Sequence, residues 1–158
     1  MANEYIGASV FYFWANDINE KFVKSVTGLG VKNNATTDVR GVGYKGKILR
    51  QNTPGQVEYN NVTITLHYNG DRSIYDWYSK CSQDGQKRDW EKNRKEVSIV
   101  GYSQDKQIEV IRLDLASCFP VSYIAPEFDV TNSNLVTEVI EVAIESFEIT
   151  QNQKQLPT

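Results

Sequence analysis

Four glutamates near the end of the chain, Glu138, Glu141, Glu145 and Glu148, recur at intervals of three and four residues. Paired carboxylates can act as acid and base when their environments differ, and Glu141 and Glu145 would share one strand face. A solvated row of charge is the plainer account of the same spacing. His67 is the sole histidine. A metal site built on it would have to gather three other ligand types around one imidazole. Its alternation with Leu66 suits a polar strand face or a subunit contact. No G-x-S-x-G nucleophile elbow occurs. Gly41, Gly43 and Gly46 are spaced loosely like a phosphate loop, but no Lys-Ser/Thr pair opening a helix follows them. No residue is therefore assigned a catalytic, cofactor-binding or metal-binding role, and the chain reads as a non-enzyme with no cofactor.

Basic residues cluster in two places. The run KRDWEKNRKE (87–96) is nearly balanced in sign around Trp90. It reads as an exposed connection with internal ion pairs, its tryptophan anchored on the domain or on a neighbour. Residues 40–57 carry Arg40, Lys45, Lys47 and Arg50, glycines at 41, 43, 46 and 55, Pro54, and no acidic residue. This stretch is a long loop or an extended hairpin, and such segments in compact domains are usually functional.

The elements that must carry these residues are mostly strands. The chain has 158 residues, 40% of them hydrophobic and 23% charged, with a net charge of −3. That is enough for one domain with a real core, placed at 1–150, followed by a polar tail at 151–158. The acidic balance argues weakly against nucleic acid as the main partner. There is no membrane-spanning run and no evident signal peptide, so synthesis in the cytoplasm without membrane insertion is expected. Cys81 and Cys118 read as small buried apolar residues.

In GASVFYFWAND, Phe11 and Phe13 face one side of a strand, Tyr12 and Trp14 the other. DINEKF reads as a turn through Asp17 and Asn19. Gly28 and Gly30 mark a bulge or sharp bend. VEYNNVTITLHY alternates Val62, Ile64 and Leu66 with Thr63, Thr65 and His67, which predicts a strand. DRSIYDWYSKCSQDG predicts the one helix, capped by Asp71 or Ser73, closed by Gly85, and packed through Ile74, Trp77, Tyr78 and Cys81. VSIVGY and QIEVIRLDLASCF predict two further strands. FPVSYIAPEFD, bracketed by Pro120 and Pro126, predicts an edge, a corner or a bulged strand. The sum is a mainly β protein: an antiparallel sandwich or barrel of about seven strands with one flanking α-helix.

The order of these segments resembles the tail-tube protein family of contractile phage tails and related extracellular contractile injection systems, over nearly the whole chain. FVKSVTGLGV (22–31) is similar to the family's opening strand and bend, and PGQVEYNNVTI (54–64) to its proline-glycine turn and following strand. IYDWYSK (74–80) resembles its aromatic helix. Residues 94–129 resemble its charged turn, two strands and proline-containing corner, and EVAIESFEIT (141–150) its terminal strand. The type VI secretion tube protein, Hcp, shares the architecture. The resemblance implies a structural subunit forming hexameric rings that stack into the inner tube of a phage tail or phage tail-like particle. It implies as partners the chain itself, a contractile sheath protein, baseplate and tail-terminator proteins, and cargo, DNA or a tape measure in the lumen. Within it, Arg40, Tyr44, Lys45, Lys47, Arg50 and Pro54 become candidates for reaching an adjacent ring, because stacking needs head-to-tail contacts.

Under this reading EVIEVAIESFEIT is a strand, since its β-branched content outweighs the helix-like spacing of its glutamates. Ile140, Val142 and Ile144 then form an apolar face, and Glu141 and Glu145 point the other way, to the lumen or a neighbouring subunit. A bulge near Ser146 would return Phe147 and Ile149 to the core. Two other readings predict different behaviour. A monomeric β-sandwich recognising carbohydrate through Trp14, Trp77 or Trp90 would show a ligand-dependent stability. A hydrolase hidden in a barrel would need a polar cleft.

Overall fold

Strand-forming segments dominate, and the computed structural model shows how they close. It describes residues 10–43, 47–82, 90–103, 109–131 and 135–150, with backbone alone at 40–43 and 47–49. The strands in chain order are β1 (Val10–Ala15), β2 (Ile18–Thr27), β3 (Val31–Gly43), β4 (Lys47–Tyr59), β5 (Val62–His67), β6 (Lys95–Tyr102), β7 (Glu109–Ile124), β8 (Thr137–Ala143) and β9 (Ser146–Thr150). The single helix among the described residues, α1 (Ser73–Cys81), lies between β5 and β6. The order β6-β1-β2-β5-β8-β7 closes through β6–β7 pairing into a six-stranded antiparallel barrel, and β9 adds to β7 outside the ring. Of the sandwich and the barrel, the chain forms the barrel. β3 and β4 pair only with each other, as a separate two-stranded sheet.

Alternation places the core. Phe13, Val62, Ile64, Leu66, Val97, Ile99, Leu115, Ile140 and Val142 point inward and join Ile74, Trp77 and Cys81 of α1 in one cluster. Tyr78, the fourth residue of the expected helix face, is half-buried and stacks on Tyr123 at 6.2 Å between ring centroids. Neither expected residue is the N-cap: that is Arg72, without a side-chain cap bond, while the Asp71 carboxylate one residue earlier accepts from the Ser73 amide at 3.0 Å and from the Ser73 hydroxyl at 2.9 Å. Gly85, the expected stop, lies outside the described residues.

Three sequence expectations are corrected. The turn after β1 is confined to Asn16 and Asp17, with Ala15 paired to Ile18 and Asp17 at φ 61. The INEKF segment is strand, because Ile18, Lys21 and Val23 point into the barrel. The strand expected from QIEVIRLDLASCF and the bulged strand offered for FPVSYIAPEFD run together as one, Glu109–Ile124. β7 runs through Pro120, changing partners from β6 and β9 to β8 around Ser117 (φ 52), with a bulge between Pro120 and Ser122. VEYNN does not continue into β5; the chain breaks at Asn60–Asn61, where the hairpin ends.

One polar cluster sits in this apolar interior. Lys21 and Glu138 are each 1% exposed, and Glu138 Oε1 accepts from Lys21 Nζ at 2.7 Å. The ammonium also donates to the Asp71 carbonyl at 3.2 Å, and the Tyr123 hydroxyl donates to Glu138 Oε2 at 2.9 Å. Burial, then the hydrogen bond to Glu138 and its charge, push the Tyr123 phenol well above its ordinary range.

Three outcomes are expected. Gly28 has φ +83, and a Cβ there would lie 2.7 Å from the Asn61 carbonyl oxygen. Gly28→Ala should therefore cost about 2 kcal/mol in urea unfolding followed by tryptophan fluorescence. Lys21→Met alone should cost about 3–5 kcal/mol by stranding a buried carboxylate, while Lys21→Met with Glu138→Leu should recover most of that loss. Because the Tyr123 pKa is raised on folding, its contribution is complete below the unfolded tyrosine value of about 10 and fades as pH rises above it. The stability difference between wild type and Tyr123→Phe should shrink between pH 9 and 11.5, measured by denaturant titration.

Candidate assembly surface

A hairpin needs an apolar face to hold it against a core, and the described side chains of β3–β4 show none. Its sequence, VKNNATTDVRGVG against KILRQNTPGQVEY, shows no sustained alternation. Residues 31–39 are all exposed, as are 50–54, and Val31, Val39 and Val57 lie open to solvent. Each strand has 13 residues, a length of about 40 Å at ~3.3 Å per residue. Cross-strand polar contacts hold it, with Thr37 Oγ1 donating to Asn52 Oδ1 at 3.0 Å and Asn34 Nδ2 to Glu58 Oε1 at 3.2 Å. Gly55 and Gln56, after Pro54, form a bulge opposite Asn34, where the backbones approach so closely that a Cβ at Gly55 would lie 2.0 Å from the Asn34 carbonyl oxygen. The root is joined to the barrel by the Asn60 amide donating to the Gly30 carbonyl and by Tyr59 packing edge-on to Phe147 at 5.7 Å.

The residues expected in this segment fall as follows. Arg50 is exposed and stands opposite Val39, and Pro54 stands opposite Ala35. Arg40 lies in β3 and Lys47 in β4, described by backbone only; Tyr44 and Lys45 are outside the described residues.

The glutamate row has three different environments. Residues 137–143 and 146–150 are strands, with the break at Ile144–Glu145. Glu141 lies on the outside of β8 and accepts from Asn61 Nδ2 at 3.2 Å. Glu145 sits in the break, its amide bonded to the Ala116 carbonyl and its carboxylate paired with Arg94. Arg94 also lies over Trp90, 5.4 Å from the ring centroid, and Trp90 packs on Phe119. Glu148 is exposed opposite Asp114. Glu138 points inward to Lys21. Glu141 and Glu145 thus engage separate partners, which is not the arrangement of an acid–base pair. Phe147 does return toward the core, but Ile149 is 53% exposed because β9 lies outside the closed ring.

Lys21 and Glu138 are the pair that sequence reasoning missed. The signal was there: Glu138 has the same strand parity as Ile140 and Val142, and Lys21 the same as Val23. On the outer wall, burial opposes ionisation of Asp114, but hydrogen bonds from Ser98 and Arg112 outweigh it and hold its pKa below the ordinary carboxylate value. Burial pushes the Cys118 thiol up to about 12 and raises Cys81, so both free cysteines stay protonated and unreactive near neutral pH. Trp77 is buried, its indole donating to the Asn93 carbonyl at 2.8 Å, and offers no stacking face to a sugar; Trp14 is half exposed on the outside of β1. His67 is half-buried on β5, its Nδ1 without a hydrogen-bond partner among the described residues.

Comparison with known proteins places this architecture. The family of the T4-like virus tail tube protein gp19 matches residues 7–148. No curated protein matches the sequence. Among solved structures, the fold is similar to a chain of the sheath/tube terminator of the PVC extracellular contractile injection system in its extended state. The TM-score is 0.72 at 18% identity, covering 95% of this chain and 99% of that one. A chain of the PVC sheath-tube complex gives 0.66 at 20% identity, covering 89% and 88%. Hcp1 from Flavobacterium johnsoniae gives 0.56 at 14% identity, covering 90% and 96%. The fold is thus shared with tube proteins, and the match over residues 7–148 shows that the chain belongs to the T4-like virus tail tube protein family, as a structural subunit of a tube.

Proposed function

We propose that this chain builds the inner tube of a contractile particle as hexameric rings stacked around a central channel, and that the β3–β4 hairpin reaches the adjacent ring. The observation that carries this is the hairpin itself. Two strands whose described side chains form no apolar face, paired with no third strand, are at best marginally stable in water. Exposed hairpin edges are also templates for unwanted pairing. Both costs disappear if a neighbouring subunit covers the hairpin. Its basic stretch, Arg40, Lys45, Lys47 and Arg50, with Tyr44 and Pro54, then meets acidic surface on that neighbour.

In this arrangement Glu141 and Glu145 face the lumen or the next subunit, where carboxylates would repel DNA phosphates and acidic cargo and so ease passage. The proposed partners are further copies of the chain, a contractile sheath, baseplate and terminator proteins, and cargo, DNA or a tape measure in the lumen. The sheath-tube complex, the terminator and the anti-feeding prophage baseplate, all of which contain similar folds, support that set. The particle is assembled from subunits made in the cytoplasm. Deleting residues 43–52 should leave a folded, soluble domain that forms no tubes in negative-stain micrographs. Normal tubes from the deletion would sink the hairpin's proposed role.

A further inference from the structure

Resting on that reading, we propose that the hairpin of one subunit docks in a groove between the end of β7 and the start of β8 of the next. The groove is an open depression of about 250 Å³, lined by Lys24, Ile124, Glu127, Asp129, Leu135 and Val139 among others. Exposed apolar side chains are concentrated here: Ile124, Phe128, Val130 and Leu135 all lie open to solvent within one short stretch of chain. Apolar patches of this kind, rimmed by charge, mark interaction sites.

Three observations select a second copy of this chain as the occupant. The first is chemical. The groove joins apolar side chains to two carboxylates, Glu127 and Asp129, which outnumber its one cation, Lys24. The hairpin pairs exposed Val39 with exposed Arg50 across its strands, within a stretch that has four basic residues and no acidic one from 39 to 57. Apolar and charged groups complement each other on both sides.

The second is topological. The hairpin leaves the barrel where β2 ends at Thr27 and β5 begins at Val62, which pairs with Val142. The groove lies at the opposite end of β8, where His67 pairs with Thr137 and Ile124 with Val139. The hairpin root and the groove therefore sit at opposite ends of one barrel. A contact joining them between copies is heterologous and repeats without closing on itself, which generates a stack.

The third is the state of the two surfaces. Both expose apolar groups that the barrel leaves uncovered, so one contact buries both sets.

The test is a charge exchange in the full-length chain. Glu127→Lys with Asp129→Lys reverses the groove, and Arg40→Glu with Arg50→Glu reverses the hairpin. Each pair alone should raise the critical concentration for tube formation at least about tenfold, read by sedimentation and negative stain. All four substitutions together should bring it back to within about threefold of wild type, because every copy then carries both reversed surfaces. Arg50 is exposed and Glu127 and Asp129 line the groove, and circular dichroism of each variant should match the parent. A groove reversal that assembles normally, or a combined variant no better than either pair, would overturn the proposal. Loss of tubes on deleting residues 43–52 alongside normal tubes from the groove reversal would reject the groove while leaving the hairpin's role intact.

Discussion

An ammonium and a carboxylate lie 2.7 Å apart inside the barrel with water excluded from both, and the surrounding strands are arranged around the need to keep them together. Either ion buried alone would cost several kcal/mol. The pair is tolerable only because its remaining hydrogen-bonding capacity is met by the Asp71 carbonyl and the Tyr123 hydroxyl. Those four groups come from β2, β8, the turn before α1, and β7. A one-residue slip of β8 would turn Glu138 outward and leave Lys21 sealed without a counterion. The ion pair therefore adds little to stability against an apolar alternative, but it penalises wrong registers heavily. Tyr123 extends the same constraint to the helix, through ring contacts with Tyr75 and Tyr78.

Closure of the barrel then decides what is left for other molecules. With β6 bonded to both β1 and β7, the six-stranded ring has no free edge. The unsatisfied strand edges that remain belong to β9 and to the β3–β4 hairpin, both outside the ring. Among its described residues the hairpin is held by cross-strand polar contacts such as Thr37–Asn52 and Asn34–Glu58 and shows no core of its own. Membership of a tube protein family fits this division, in which a closed barrel holds its own shape and the hairpin stands outside it.

Several features were legible beforehand for identifiable reasons. Alternation of Val62, Ile64 and Leu66 and the i, i+3, i+7 spacing of Ile74, Trp77 and Cys81 are local signals, and both placed core residues correctly. The break in the last strand was legible from the change of parity between Ile144 and Phe147. The hairpin was harder. Its strands begin at Val31, well before the basic stretch, yet they show no alternation because they face no core. Strand signals in sequence are signals of half-burial, and a hairpin exposed on both faces does not send them. The INEKF segment misled for the opposite reason: its turn-forming residues sit in β2, where pairing with β1 and inward packing of Lys21 override local preference.

The sequence by itself determined half-buried strands such as β5, which face of the helix is apolar, and that the glutamate row is not helical. These depend on periodicities over a few residues, which the chain carries wherever it folds. Only the tertiary structure decided that the four evenly spaced glutamates would part company: one sealed against a lysine 117 positions away, two bonded to Asn61 and Arg94 on the outer surface, and one at an open edge. The same holds for the opposite placement of hairpin and groove. A carboxylate's neighbours depend on how distant strands are paired and where the barrel closes, and no local pattern in the chain encodes that.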